Sequence, residues 1–357
     1  MSEPQIDRHK ALDSLLSKQK KKAEKKGYEM VIGRASGLPE QWRTIMPQAL
    51  GYPLFDHWSG GGLPKGGITT FQGPPSVGKT SLAYMLIAAY QAKGLTVLLV
   101  DYEESFDEKW AQTLGVDTDK MHYIAPETLE RGLDTIERIA KEGVLDVVIL
   151  DSLDAAIPEG SLYKKGSGIK HGADKDIDED TIALKPRKLS QWLPRVRYHF
   201  RKYSTSLIII AQQRIQLSNA GGFPGMAGGN ALAHFNFLNL KISRANSKED
   251  LVLKDHSVAF KMKIRVDKSK YAGLRKDDVM ETFFFHDQGF NAGYEAVAMS
   301  LAGELPVCPL VNSSSQSSLF TDSDGKEHKI SGAKPETVYT KMQEMNQLDN
   351  FLGMVGY

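Results

Sequence analysis

The segment GPPSVGKT, Gly73 to Thr80, with Ser81 behind it, carries the residue types that hold a polyphosphate. It fits the pattern G-x-x-x-x-G-K-[ST], with a strand-like ITTFQ before it and a helical repeat after it. In such a loop successive backbone N–H groups turn inward as an anion nest, and the next helix adds its positive N-terminal end. Gly73, Pro74, Pro75, Ser76, Val77, Gly78, Lys79, Thr80 and Ser81 are therefore expected to bind ATP. Lys79 would bring a point charge to the β- and γ-phosphates, and the Thr80 hydroxyl would ligate Mg²⁺. The competing reading is a chance glycine-rich turn, and the flanking strand and helix weigh against it.

Two acidic strand ends complete the set. LDVVILDS ends in Asp151 and Ser152, and a carboxylate at the C-terminal end of a central strand stands where the Mg²⁺ shell should be. Asp101-Tyr102-Glu103-Glu104 ends the strand expected beside the P-loop strand. A glutamate there can take a proton from water attacking the γ-phosphate. Acidity at a helix start would give the same composition, and residue types alone do not settle which of the two glutamates faces the nucleotide.

The elements that position these groups follow from apolar periodicity. LTVLLVD (Leu95 to Asp101), LDVVILD (Leu145 to Asp151) and SLIIIA (Ser206 to Ala211) are near-continuous apolar runs, as parallel strands covered on both faces require. Between them Leu82, Met85, Leu86 and Ala89 recur at helical spacing up to Gly94. Leu129, Leu133, Ile136 and Ala140 do so again up to Gly143. This predicts a doubly wound, mostly parallel α/β core over residues 46–290.

Residues 1–45 read as a basic arm: a helix from Ile6 to Lys26, then a short strand in YEMVIGRA. Residues 291–357 read as a small C-terminal α/β domain. The Asp-Ser-Asp-Gly at 322 to 325 lacks the downstream glutamate of a calcium loop, so a hairpin turn is expected.

Composition narrows the class. Hydrophobic residues make up 41% of the 357 and charged residues 25%, ordinary for a globular protein with a full core. The net charge is +1, so nucleic-acid binding would have to come from local clusters of Lys and Arg. Cys308 is the only cysteine, which excludes an internal disulfide and fits a reducing compartment; a buried structural thiol is the default reading for it. MSEPQIDRHK lacks the apolar run of a signal peptide, and no membrane-length apolar run occurs, so a cytoplasmic location is expected.

Two long polar stretches interrupt the core at the ligand edge of the sheet. One runs from Glu159 to about Lys185, and the other is RIQLSNAGGFPGMAGGN from Arg214 to Asn230. Loops this long in a compact domain carry function or disorder. Lys164, Lys165, Lys170 and Lys175 lie in the first, with Arg187 just after it. Arg214, Phe223, Gly228, Gly229 and Asn230 belong to or border the second. Cations and exposed glycine N–H groups suit phosphate backbones, although the acidic run Asp174, Asp176, Asp178, Glu179 and Asp180 would repel them.

GGGLPKGGITTFQGPPSVGKTSL, VDYEESFDEKWAQTLGVD, VVILDSLDAAIP, LIIIAQQR and GGNAL occur in this order. Together they resemble bacterial RecA proteins and their phage relatives over roughly residues 45 to 290. The resemblance implies a RecA-like P-loop ATPase core with two DNA-binding loops, at about 159–186 and 214–230. Glu103 resembles the family's catalytic glutamate, and Trp110, near Asp107, falls where the family sets an aromatic against adenine. Gln212 resembles the γ-phosphate sensor; a polar residue merely ending a buried strand is the plainer reading. Lys268 and Lys270 resemble the lysine pair that reaches a neighbouring protomer's ATP, where a solvated lysine face is the alternative. Arg187, Arg214, Gly228, Gly229 and Asn230 would contact DNA. PPSV inside the P-loop departs from the bacterial PESS form, and LDNFLGMVGY at the C-terminus departs from an acidic tail, which suggests a divergent member.

The implied function is a DNA-dependent ATPase that uses ATP and Mg²⁺ to form filaments on single-stranded DNA and to exchange strands with duplex DNA. The partners implied are further copies of the chain, DNA, single-strand-binding protein and loader proteins, with no membrane. A ring-forming helicase on the same fold and a non-hydrolysing recombination mediator are the rival readings.

Overall fold

Val97–Asp101 and Val147–Asp151 are buried at every position, because the sheet they belong to is covered on both faces. The computed structural model describes residues 7–162, 184–216, 223–226, 229–253, 256–271 and 273–356. Six strands run parallel: β1 (Ile68–Gly73), β2 (Val97–Asp101), β3 (His122–Ile124), β4 (Val147–Asp151), β5 (Ser206–Gln216) and β6 (Leu238–Arg244). Their spatial order is β6-β1-β5-β4-β2-β3. Antiparallel β7 (His256–Ser269), β8 (Val279–Phe285) and β9 (Gly289–Phe290) extend the sheet beyond β6.

The first 46 residues form one unit and residues 47–357 another. In the first, α1 (Arg8–Glu24) starts at Asp7, whose carboxylate accepts from the N–H groups of His9 and Lys10. Leu12 and Leu15 stay 53% and 59% exposed on it. The strand expected in YEMVIGRA is not formed. A lone extended segment has no ladder to join, and no other strand occurs among the described residues of this unit.

In the second unit, alternate residues of each strand feed opposite cores. Ile149 packs with Phe71, Leu99, Ile208 and with Leu82, Met85 and Leu86 of α2 (Lys79–Gln91). Val148 and Leu150 pack with Leu133 and Ile136 of α3 (Leu129–Glu142) and with Leu189, Trp192 and Val196 of α4 (Leu184–Tyr203). That alternation of faces is the period-two geometry of a strand, and it yields the doubly wound core. α5 (Gly229–Phe235) packs beside α4, with Leu232 in the same cluster.

The second long stretch is more regular than expected. β5 continues to Gln216, and Gln213 to Gln216 pair antiparallel with Met226 to Phe223. A hairpin gives these backbone groups partners that an open loop would leave to water. Residues 163–183 of the first stretch lie outside the described residues.

The C-terminal residues have their own cluster, which includes Val297, Phe320, Ile330, Val338 and Phe351. A three-stranded antiparallel sheet, Leu310–Ser314, Ser317–Thr321 and Glu327–Ser331, packs there with the helices Ala292–Ala302, Pro335–Glu344 and Leu348–Val355. Asp322 makes the expected hairpin turn: its Oδ1 accepts from the N–H groups of Asp324 and Lys326. Cys308 is half-buried rather than buried, its Sγ 3.2 Å from the Leu305 carbonyl. Among the described residues no helix is long and apolar enough to cross a membrane.

Candidate functional site

β1 ends at Gly73, where a Cβ would come within 2.5 Å of the Ile242 carbonyl oxygen on β6. Only glycine fits between the two strands at that point. The chain then turns through Ser76 and Gly78, both at positive φ, and enters α2 at Lys79. Lys79 is 8% exposed and its ammonium donates to the Pro74 carbonyl at 2.6 Å. Burial holds its pKa below the usual lysine range, opposed by the charges of Glu103, Asp151 and Asp154.

A cavity of about 310 Å³ opens here, lined by Pro75, Ser76, Gly78, Lys79, Thr80, Ser81, Glu103, Asp151 and Gln212. The parallel sheet explains why residues so far apart in sequence meet. The C-terminal ends of β1, β5, β4 and β2 meet here in that order, so the Asp101 strand is not beside the P-loop strand as expected but separated from it by β5 and β4. The register sets Gly73 opposite Gln212 and Asp101 opposite Asp151.

Asp101 organises the acidic turn. Its Oδ1 accepts from the N–H groups of Glu103 and Glu104 and its Oδ2 from that of Ser105, while Tyr123 donates to the same carboxylate at 3.2 Å. Of the two glutamates, Glu103 lines the cavity. Ser152 Oγ donates to Glu103 Oε1 at 2.5 Å.

Asp151 is 3% exposed. Burial pushes its pKa up to about 7, with Glu103 and Asp101 adding to the rise; the hydrogen bond from Thr80 and the Lys79 charge oppose it. Its Oδ1 is buried without a hydrogen-bond partner. An orphaned carboxylate oxygen beside a threonine hydroxyl fits a hard divalent cation that completes its shell with phosphate oxygens and water. Thr80 and Asp151 therefore suit Mg²⁺.

Asp107 and Trp110 are not part of the cavity wall. Asp107 caps the helix Glu108–Thr113 by accepting the Trp110 N–H, and the Trp110 indole donates to Ser81 Oγ at 2.9 Å. Trp110 thus touches a residue of the wall rather than the cavity itself. Lys268 and Lys270 lie elsewhere, at the end of β7 and just beyond it. The Lys268 ammonium donates to the carbonyls of Ala233 and His234, and that of Lys270 to His234 at 2.7 Å. Both hold the C-terminal turn of α5, whose carbonyls have no intrahelical partner. Burial, then the Lys270 charge, lowers the pKa of Lys268.

Arg187 is exposed on α4. Arg214 lies in β5, Phe223 opens the paired strand of the hairpin, and Gly229 and Asn230 open α5. Gly228, Lys164, Lys165, Lys170 and Lys175 lie outside the described residues. Asp101, Ser152 and Asp154 received no role from sequence reasoning. An Asp at a strand end was the signal available for the first, since such carboxylates accept from backbone N–H groups a few residues on.

A family model described as the RecA N-terminal domain matches residues 10–289. Protein RecA of Campylobacter hominis is 35% identical over 215 residues, which cover 59% of this chain and 58% of that relative. Protein RecA of Staphylococcus aureus is 30% identical over 301 residues, 84% of this chain and 80% of the relative.

Proposed function

Because the chain belongs to the RecA family, we propose that it is a DNA-dependent ATPase that polymerises on single-stranded DNA and promotes homologous pairing and strand exchange. The observation that carries this reading is the convergence of Lys79, Thr80, Glu103, Asp151 and Gln212 on one cavity. A nest for phosphate, a carboxylate for water and an amide for the γ-phosphate are what nucleotide hydrolysis asks of a protein.

In this reading Lys79 exchanges the Pro74 carbonyl for β- and γ-phosphate oxygens. Thr80 and Asp151 would hold Mg²⁺, which would supply positive charge against that of the phosphates. Glu103, fixed by Ser152 and by the turn on Asp101, accepts the proton of a water as it bonds to the γ-phosphorus. The β–γ bridging P–O bond breaks, leaving ADP and phosphate. Gln212 donates to the γ-phosphate without adding charge, and β5 carries its position into the hairpin beyond. Lys268 and Lys270 serve the nucleotide of an adjacent protomer, and Asp107 and Trp110 stand on the base side of the nucleotide.

DNA would be held by Arg187, Arg214 and the backbone of Gly228, Gly229 and Asn230, mostly through phosphates, so that base pairing between strands reads homology. The test is ATP hydrolysis with and without single-stranded DNA, alongside electron microscopy with a slowly hydrolysed ATP analogue. Stimulated turnover and helical filaments are expected. Closed rings, or isolated protomers with unstimulated turnover, would overturn the reading.

A further inference from the structure

Beyond β4 the chain turns away at Ser152–Ala155, but one rung of the ladder to β5 persists: the Leu153 N–H donates to the Ile210 carbonyl at 3.1 Å. In a regular parallel pair the same residue's carbonyl would then accept from the N–H two residues further along the neighbour, here Gln212. That rung is exchanged. Lys185 Nζ takes the Leu153 carbonyl at 2.9 Å and the Asp154 carbonyl at 2.8 Å. The Gln212 N–H goes instead to Asp154 Oδ2 at 2.5 Å. A side-chain cation has replaced a backbone donor, and a side-chain carboxylate has replaced a backbone acceptor.

We propose that Asp154 is a positioning residue: it fixes Gln212 at the cavity wall and, through Lys185, ties that position to the base of the first long polar stretch. The proposal deepens the function proposed above and rests on it for the role of Gln212. The placement of the three residues motivates it. Gln212 precedes the hairpin of the second polar stretch, and Lys185 lies two residues beyond residues 163–183. Asp154 also sits close enough to act electrostatically on Lys79. Asp154 holds the Gln212 N–H and Lys185 holds the carbonyls of Leu153 and Asp154, so a shift of Gln212 toward phosphate would draw on Asp154 and on the carbonyls that Lys185 holds. Both polar stretches would then answer to one nucleotide.

The experiment measures single-stranded DNA affinity with and without a non-hydrolysable ATP analogue. The proteins compared are wild type, Asp154→Ala, Asp154→Asn and Lys185→Met, with analogue affinity and thermal midpoint measured on each. In wild type the analogue should raise DNA affinity by roughly tenfold or more. Asp154→Ala should keep analogue affinity within about threefold while the coupling falls to about twofold or less. Asp154→Asn keeps an acceptor oxygen and should retain most of the coupling. Lys185→Met should reduce the coupling even if Asp154→Ala fails to fold. Full coupling in Asp154→Ala, or in Lys185→Met should the alanine variant not fold, would overturn the inference and leave the function standing. No coupling in wild type would overturn the function as well.

Discussion

Ser152 Oγ and Glu103 Oε1, at the ends of the neighbouring strands β4 and β2, are joined by a hydrogen bond of 2.5 Å. The serine thus fixes one oxygen of a carboxylate whose residue lines the cavity. Glu103→Gln should lower kcat by roughly 10² to 10⁴ while ATP still binds, since only the proposed proton acceptor is lost. Ser152→Ala should cost about tenfold in kcat with KM nearly unchanged, the pattern of a group that orients the base. Steady-state phosphate release decides both, and equal losses in the two variants would mean that the serine does more than orient.

The Lys79 ammonium donates to the Pro74 carbonyl, and among the described residues no carboxylate pairs with it. Exchange of that carbonyl for phosphate costs little, because one acceptor replaces another. Lys79→Ala should therefore lose kcat/KM by at least about a hundredfold, on the order of 3 kcal/mol of transition-state stabilisation. Turnover at the wild-type rate would remove the cavity from the mechanism.

The P-loop was legible in the sequence because strand, loop and helix are contiguous there, and the buried runs gave the sheet for the same local reason. What joins Lys79 to Asp151 and Gln212 is strand order, which no local pattern contains. The likeness to a family supplied Gln212, whereas Asp154 was invisible because its partners, Gln212 and Lys185, come from separate elements. The hairpin after β5 was missed because FPGM, which pairs with Gln213 to Gln216, contains glycine and proline, residues that are poor strand formers. Strict alternation would put Lys268 and Lys270 on one face of a strand. A register shift between Val266 and Lys268 and the carbonyls of α5 set where they point.

Those two lysines give a test of sharing between protomers. Lys268→Met with Lys270→Met removes both lysine partners of the α5 carbonyls, and Glu103→Gln removes the proposed base. Each variant alone should hydrolyse ATP poorly. If an adjacent protomer supplies the lysines, mixed assemblies regain turnover wherever an intact Glu103 meets intact lysines across a junction, as expected of a repeating head-to-tail contact. Phosphate release in titrated mixtures reads this directly. A mixture no more active than its parts would place the lysines' role within their own protomer, as caps of α5.

Glu295 gives a stability prediction independent of the cavity. It is 2% exposed, takes the Thr282 hydroxyl on Oε1 at 2.7 Å and the Leu54 N–H on Oε2 at 3.3 Å. Burial pushes its pKa up to about 7, with the Asp56 carboxylate adding to the rise. The folded chain therefore keeps a proton that the unfolded chain releases at about pH 4.5. The contribution of Glu295 to stability falls as pH rises between these values and levels off above about 7, because over that window this group holds more proton in the folded state than in the unfolded one. Glu295→Gln keeps the shape and an acceptor oxygen without the charge. It should flatten this dependence and, near pH 8, leave the protein more stable than wild type by about 1–3 kcal/mol. Denaturant unfolding at several pH values measures it, and a variant less stable than wild type at high pH would mean that the carboxylate is ionised and held by its two donors.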